Sequence, residues 1–402
     1  MSPNGLIQRR QADKLGKIDQ ASVQASLTSE FPNAKETELH PPNTKLEQII
    51  RATVIISCFL VGNCCIHVLQ WLGSPLYCIN RRWFHEWQVK AKEMCALLLF
   101  ALNQWASSCT VKVSGDASVR HQIRSAPEGQ IILDFPDRLV LIANHQIYTD
   151  WIFLWWSAYI AKHHGHFLVV LKDSLRRIPV FGPGMMFFDW IFLSRRWEKD
   201  RPRLQEHMES LSRPGSRFPM WLLIFPEGTN LSENTRGISK KWAEKMGIPD
   251  LKYILLPRTR GLHLCVERLG DSIEWLYDCT ISYDGVPSGE YGQDIYTLKS
   301  LYVEGFKAPN VNIHWRRFAV KDIPLIDPAA FDQWLYERWA EKDKLLEYAE
   351  HHGHFPAEGG RVEVQVGLQN PLEALRILPS VFLVGAIWYG IRSIFSFARA
   401  TP

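Results

Sequence analysis

Four short, mostly apolar runs in the middle of the chain constrain its fold more than any other feature. They cover residues 138–144, 167–171, 220–226 and 253–257. Apolar runs of this length, without polar alternation, are typical of strands that are buried on both faces of a sheet. A helical pattern at 149–164 follows the first run. The sequence therefore predicts an α/β fold in which helices cover a central parallel or mixed sheet.

Apolar segments at both ends of the chain predict membrane contact. Residues 49–73 exceed the roughly 20 residues that a helix needs to cross the hydrocarbon core, but Arg51 and Asn63 interrupt them, so this segment either spans the bilayer or lies partly in the interface. We expect residues 83–108 to pair with it as a membrane-docking helix. Residues 377–391 give about 23 Å of helix, so they either span or lie shallowly.

These patterns divide the chain into four expected regions. They are a disordered tail at 1–46, a membrane-anchoring helical region at 47–110, a globular α/β domain at 111–345, and a C-terminal region with an apolar membrane segment at 346–402. The polar N-terminus predicts no cleavable signal peptide.

The overall charge and the cysteines exclude several functions. Lys and Arg number 46 against 42 Asp and Glu, a formal charge of +4, so nothing favours nucleic acid as a partner. The eight cysteines form neither a metal-type pair nor a disulfide framework. We therefore expect free thiols and no metal site. The 16 Trp residues fit a protein that meets a bilayer interface.

A histidine and an aspartate follow the first apolar run, in the segment LIANHQIYTDW at 141–151. Five helical steps leave two side chains about 140° apart, so a turn must separate His145 from Asp150. If the strand ends at Asn144 and a helix begins near Asp150, the carboxylate can meet one imidazole nitrogen and leave the other to accept a proton. That arrangement predicts a general base near neutral pH. The structural alternative is a helix cap at Asp150 and a packed histidine.

A second polar turn, FPEGT at 225–229, follows another apolar run. Ligands bind at the carboxyl ends of strands in α/β sheets, so we expect this turn and His145 to face one crevice. Gly228 lets backbone amides approach a phosphate, and Thr229 offers a hydroxyl. Glu227 has no obvious purpose in a purely structural turn, which is the alternative.

Together the two motifs resemble those of the glycerophospholipid acyltransferase family, which includes the lysophosphatidic acid acyltransferases. The resemblance covers roughly residues 85–345 and includes two weaker blocks, WIFLSRR at 190–196 and LLPRTRG at 255–261. Residues 225–249 and 255–269 are similar to the branch of the lysocardiolipin and lysophosphatidylinositol acyltransferases. The resemblance implies the glycerolipid acyltransferase fold, with a mostly parallel sheet.

The resemblance also implies roles for particular residues. His145, oriented by Asp150, would be the catalytic base. The residues implied to bind the acceptor are Arg195, Glu227, Gly228, Thr229 and Pro257. Asp189 replaces a family glycine in the second block, so Arg196 is an alternative to Arg195. Candidates for the phosphates of coenzyme A are Lys172, Arg176, Arg177, Arg258 and Arg260.

The implied reaction is O-acyl transfer from acyl-CoA to a lysophospholipid, in remodelling of lysophosphatidylinositol or lysocardiolipin. Direct attack would need no cofactor, with acyl-CoA as co-substrate. One alternative is acylation of 1-acylglycerol-3-phosphate in de novo phosphatidic acid synthesis. Another, of a different class, is a non-catalytic membrane lipid-binding protein. The expected location is the endoplasmic reticulum membrane with a cytosolic site, and the mitochondrial outer membrane is the second choice.

Overall fold

The computed structural model describes residues 43–126 and 129–400, without the side chains of Ile391 and of residues 394–400. Most of the predicted tail, residues 1–42, lies outside the described residues. The first helix begins at Lys45, where Thr44 and Glu47 cap each other's backbone amides. This reciprocal cap is the usual start signal of an amphipathic helix.

The described residues contain ten strands. They are β1 (Thr110–Gly115), β2 (Ile123–Ser125), β3 (Ile131–Leu133), β4 (Arg138–Ala143), β5 (Phe167–Lys172), β6 (Ile191–Leu193), β7 (Met220–Ile224), β8 (Trp275–Tyr283), β9 (Val311–Ala319) and β10 (Arg361–Gln365). β2 and β3 form a separate hairpin.

The other eight strands form one sheet in the order β10-β1-β9-β8-β4-β7-β5-β6. β4 to β8 run parallel to one another, whereas β9 is antiparallel to β8 and β10 is antiparallel to β1. Every side chain of β4 from Leu139 to Ala143 is fully buried, as expected for a central strand covered on both faces. The predicted α/β fold with a mostly parallel sheet is confirmed. The loops that follow β4 to β8 all leave the sheet at one edge.

The helices of the described residues flank this sheet. They are α1 (Lys45–Leu72), α2 (Leu76–Ile79), α3 (Arg81–Ala106), α4 (Asp150–Ile160), α5 (Phe181–Phe187), α6 (Trp197–Ser212), α7 (Glu233–Met246), α8 (Thr259–Leu269), α9 (Gly292–Ile295), α10 (Pro328–His352) and α11 (Leu378–Ala400). α4 is buried on nearly all sides, and α10 packs against β8 and α8.

The strand predicted at 253–257 is wrong, because this apolar segment pairs with no strand. Its backbone amides are satisfied by side chains instead. Leu256 N donates to Ser239 Oγ at 2.9 Å, and Tyr253 N donates to Asp343 Oδ1 at 2.7 Å. The apolar pattern therefore predicted the burial of this segment correctly, but its predicted pairing in the sheet was wrong.

The sheet also extends beyond residue 345. β10 pairs with β1 in antiparallel register from Thr110 opposite Gln365 to Ser114 opposite Arg361. Exposed Arg361 and Glu363 alternate with inward-facing residues along β10, as in an edge strand with one solvated face.

α1 and α3 form an antiparallel pair, but they have different surroundings. Contacts join them along their length, from Arg51 Nη2 donating to the Ala106 carbonyl at 2.6 Å to Trp87 Nε1 donating to the Leu69 carbonyl at 2.8 Å. The inner face of α3 belongs to the main core, where Phe100 is fully buried. Within the predicted anchoring region, α3 is thus a core helix, and α1 carries the exposed apolar surface.

Two segments of the described residues are long and apolar enough to cross a membrane, Lys45–Ile79 and Pro371–Gly390. α11 packs beside α1, and both expose large apolar side chains, such as Ile49 at 63% and Phe382 at 70%. A contiguous apolar surface of this kind indicates contact with a bilayer or another apolar partner.

Gly62 of α1 packs closely against Leu98 of α3, so we expect Gly62→Val to destabilise the protein. A Cβ at this position would lie 2.5 Å from Leu98 Cδ2, and such overpacking costs about 1–3 kcal/mol. Gly385→Val, in α11, is the control because a Cβ there meets nothing within 4 Å. Unfolding midpoints in detergent measure the stability of both variants. Equal midpoints would contradict the close contact between Gly62 and Leu98.

Candidate active site

The loops after β4 and β7 meet at the common edge of the sheet. The two strands are neighbours, with Ile142 opposite Ile224 near their carboxyl ends. His145 follows β4, and the turn at 225–229 follows β7. Two hydrogen bonds join the loops: His145 N donates to Glu227 Oε1 at 3.3 Å, and Leu231 N donates to the His145 carbonyl at 2.8 Å.

Asp150 holds the His145 imidazole by one ring nitrogen. Asp150 is the first residue of α4 and is fully buried. Its Oδ2 lies 2.8 Å from His145 Nδ1 and also accepts the backbone amides of Gln146 at 2.6 Å and Ile147 at 3.1 Å. Because Oδ2 already accepts two amides, Nδ1 is the donor to it, and in the neutral imidazole Nε2 then keeps its lone pair.

The free nitrogen of His145 is accessible. The side chain is 19% exposed, and its ring stacks on Phe225 with ring centroids 4.3 Å apart. A ring clamped between a carboxylate and an aromatic face has a fixed orientation. The arrangement can therefore accept a proton at a defined point.

Glu227 lies beneath this pair rather than in the open crevice. It is 3% exposed, and the side chain of Trp339 lies near its carboxyl group. Burial raises the pKa of Glu227 well above its ordinary value, although the charge of Lys342 acts in the opposite direction. Its contact with His145 N makes it a support for the backbone of the loop.

In the rest of the turn Pro226 is buried, and Gly228 and Thr229 are partly exposed. Gly228 has φ +72, a left-handed conformation that favours glycine, and its amide donates to the Phe225 carbonyl at 3.0 Å. Thr229 is half-buried. Pro257 is buried next to the turn, because the following amide, Arg258 N, donates to the Pro226 carbonyl at 2.7 Å.

The structure brings Arg195, and not Arg196, to the turn. Arg195 follows β6 with φ +62, and its Nη2 donates to the Gly228 carbonyl at 2.5 Å. Arg196 uses its backbone amide to bind Asp200 Oδ2 at 3.1 Å. The second block therefore contributes its first arginine to the site.

The other basic candidates are spread around the same edge. Lys172 ends β5, and Arg176, in the segment that follows, pairs with Asp173 at 3.1 Å. Arg177 lies beside it, and Arg260 is exposed on α8. In the described part of the chain, no hydrogen bond or ion pair joins these side chains to His145 or to the turn at 225–229. Nor does any group of three or more His, Cys, Asp or Glu side chains there have a geometry that could hold a metal ion.

Sequence reasoning missed two residues that support the dyad from β4 and β8. The hydroxyl of buried Tyr283 donates to Asp150 Oδ1 at 2.5 Å. Asn144 fastens the end of β4 to β8, since its amide donates to the Ile281 carbonyl at 2.9 Å and its Oδ1 accepts Ile281 N at 2.8 Å. The local signal for Asn144 was its position at the end of an apolar run, whereas Tyr283 had no such signal because β8 was not predicted.

A buried charge cluster below the site was also missed. Lys342 of α10 is fully buried, and its Nζ donates to Asp278 Oδ1, to the Cys279 carbonyl and to Thr280 Oγ1. Asp278 Oδ2 accepts Arg316 Nε at 2.7 Å. Burial alone would raise the pKa of Asp278, but the charges of Lys342 and Arg316 hold it below its ordinary value.

Comparison with known proteins identifies acyltransferase relatives of this chain. The family model named Acyltransferase matches residues 111–270, and the model named Acyltransferase C-terminus matches residues 302–378. An uncharacterized acyltransferase of Schizosaccharomyces pombe is 36% identical over 83% of this chain and 94% of its own length. A 2-acyl-1-lysophosphatidylinositol acyltransferase of Saccharomyces cerevisiae is 35% identical over 78% of this chain and 88% of its own length.

The chain belongs to the glycerophospholipid acyltransferase family. A more distant match is lysocardiolipin acyltransferase 1 of Danio rerio, 35% identical over 52% of this chain and 52% of its own length. The dyad, the turn and Arg195 all lie in the first matched region of this acyltransferase, whereas Arg316 and Lys342 lie in the second.

We expect Tyr283→Phe to destabilise this acyltransferase. The change removes one hydroxyl and leaves Asp150 Oδ1 buried without that donor, which costs about 1–3 kcal/mol. Unfolding midpoints measure the loss. Tyr389→Phe, whose ring is 73% exposed, is the matched control and should change stability by less than about 0.5 kcal/mol. Equal midpoints for the two variants would count against the contact.

The raised pKa of Glu227 predicts a stability that falls as the pH rises above its ordinary value of 4.5. The folded protein keeps this proton at pH values where the unfolded chain has released it, so raising the pH favours unfolding. Glu227→Gln cannot release a proton. Its unfolding midpoint should therefore fall less than that of the wild type between about pH 5 and about pH 7. Exposed Glu358→Gln is the control, and parallel pH curves for all three proteins would refute the shift.

Proposed function

We propose that this chain transfers an acyl group from acyl-CoA to a free hydroxyl of a lysophospholipid, in the remodelling of phospholipid acyl chains. The observation that carries the proposal is the 2.8 Å contact between His145 Nδ1 and Asp150 Oδ2, beside the turn at 225–229. The acceptors of the named relatives favour a lysophosphatidylinositol or a lysocardiolipin as the acceptor.

The proposed step is a direct attack. As the acceptor oxygen forms a bond to the thioester carbonyl carbon, His145 Nε2 takes the hydroxyl proton. The resulting imidazolium is stabilised by Asp150, which accepts a hydrogen bond from Nδ1–H throughout. The carbon–sulfur bond then breaks, and the thiolate of coenzyme A leaves with that proton. The proposed reaction uses acyl-CoA as a co-substrate and no cofactor.

The turn supports this reaction by binding the acceptor. Arg195 supplies positive charge and N–H donors beside the turn, and Thr229 adds a hydroxyl, as a phosphate requires. Thr229 and Pro257 shape the same turn. A phosphate held here positions the attacking hydroxyl, and positioning supplies much of the acceleration that a single base does not.

We assign binding of the acyl donor, acyl-CoA, to the remaining basic side chains. Lys172, Arg176, Arg177 and Arg260 surround the site edge and can pair with the phosphates of coenzyme A.

The proposed location is a membrane, with the site facing the cytosol where acyl-CoA is dissolved. The exposed apolar surfaces of α1 and α11 support this, because a lysophospholipid sits in the bilayer with its head group at the surface. Our first choice is the endoplasmic reticulum membrane, and the second is the mitochondrial outer membrane.

His145→Ala tests the proposed base. We expect a loss of roughly 10²- to 10⁴-fold in acyl transfer, because a general base contributes that much. Membranes that carry each variant receive labelled acyl-CoA and a panel of inositol, cardiolipin, glycerol, choline and phosphate lysolipids. Exposed His351→Ala is the control and should keep full activity.

The panel also distinguishes the alternatives. Transfer undiminished in His145→Ala would exclude this base. A preference for the lysolipid with a bare phosphate would instead favour phosphatidic acid synthesis. Specific binding without any transfer by the wild type would favour a non-catalytic lipid-binding protein.

A further inference from the structure

Two arginine side chains flank the turn after β7, although the family motifs single out only Arg195. The second is Arg258, which precedes α8. Its amide is bonded to the Pro226 carbonyl at 2.7 Å, so its backbone is fixed to the turn. Both side chains are exposed at the site edge.

The Arg258 side chain runs along Gly228. A Cβ built on Gly228 would lie 3.5 Å from Arg258 Cδ, 3.6 Å from Nε and 3.8 Å from Cζ. On the other side, Arg195 Nη2 contacts the Gly228 carbonyl. The two guanidinium groups therefore approach one glycine, Arg195 from the loop after β6 and Arg258 from the segment before α8.

Neither arginine has an acidic partner within residues 43–126 and 129–400. Arg195 binds only a carbonyl, and no hydrogen bond or ion pair engages the Arg258 side chain there. Partial burial, with the nearby charge of Arg258, lowers the pKa of Arg195. Two like charges kept together without a counterion form an arrangement that an anion stabilises.

The position of the pair favours the acceptor over the donor. The turn that carries Gly228 is bonded directly to the His145 loop. In a lysophospholipid only part of the glycerol backbone separates the phosphate from the reacting hydroxyl. In acyl-CoA the whole pantetheine arm separates the phosphates from the thioester. A phosphate bound this close to the base is therefore the acceptor's.

We propose that Arg258 and Arg195 bind the acceptor phosphate together, so that Arg258 determines affinity for the lysophospholipid and not for acyl-CoA. The proposal rests on the proposed function for its substrate class. It removes Arg258 from the donor candidates and gives the acceptor phosphate a second planar, bidentate partner.

The test is the full-length protein in membranes, with Arg258→Met and Arg258→Lys. We expect Arg258→Met to raise KM for the lysophospholipid about 10- to 100-fold, the effect of losing one charged hydrogen-bonded partner, and to leave KM for acyl-CoA within about 2-fold. Arg258→Lys keeps the charge but not the bidentate guanidinium group. Its KM for the lysophospholipid should therefore lie between those of the wild type and Arg258→Met.

The matched control is Arg213→Met. Arg213 is exposed and lies just before β7, at the opposite edge of the sheet. The substitution removes the same charge far from the turn, so both KM values should stay those of the wild type. Unfolding midpoints check that each variant is folded, and Arg258→Gln replaces Arg258→Met if that variant is not.

A second measurement separates this proposal from the proposed function. Equilibrium binding of the lysophospholipid, without acyl-CoA, should weaken by the same factor in Arg258→Met. If the wild type binds the lysolipid but transfers nothing, the proposed function fails and the weakened binding still supports the arginine pair. A rise in KM for acyl-CoA, or unchanged binding and KM for the lysolipid, overturns the role of Arg258.

Discussion

The buried carboxylate of Asp150 is the interaction on which the rest of the site depends. It accepts four hydrogen bonds, from the His145 ring, the amides of Gln146 and Ile147, and the Tyr283 hydroxyl. A charge taken out of water is costly unless donors satisfy it. The donors come from the loop after β4 and from β8, so satisfying this one charge also fixes the loop conformation and the imidazole tautomer.

The C-terminal part of the chain completes the electrostatics of the site. Lys342 and Arg316, which lie in the second matched region, pair with buried Asp278 of β8, and the charge of Lys342 also lowers the pKa of buried Glu227 in the first region. Breaking a buried ion pair by removing one partner costs several kcal/mol. The second matched region therefore influences the electrostatics of the first, because loss of Lys342 would remove a charge that lowers the pKa of Glu227 and that of Asp278.

The sequence predicted the positions of the two site loops better than it predicted which segments form the strands of the sheet. His145 and the turn at 225–229 follow strands whose apolar composition is unambiguous, and parallel strands leave at one edge. β8 and β9 went unpredicted, because Asp278 and Arg316 make them look polar. These two residues lie directly opposite each other in the antiparallel register. That pairing depends on which strands become neighbours, and no local pattern encodes it.

The attachment of α1 to α3 has a consequence for lipid access. A catalytic domain on a flexible tether samples many heights and tilts above a bilayer. Here the outer apolar helix is bonded to a helix whose other face is buried in the core. In a bilayer, the elevation of the crevice would then be set by side-chain packing and not by linker length.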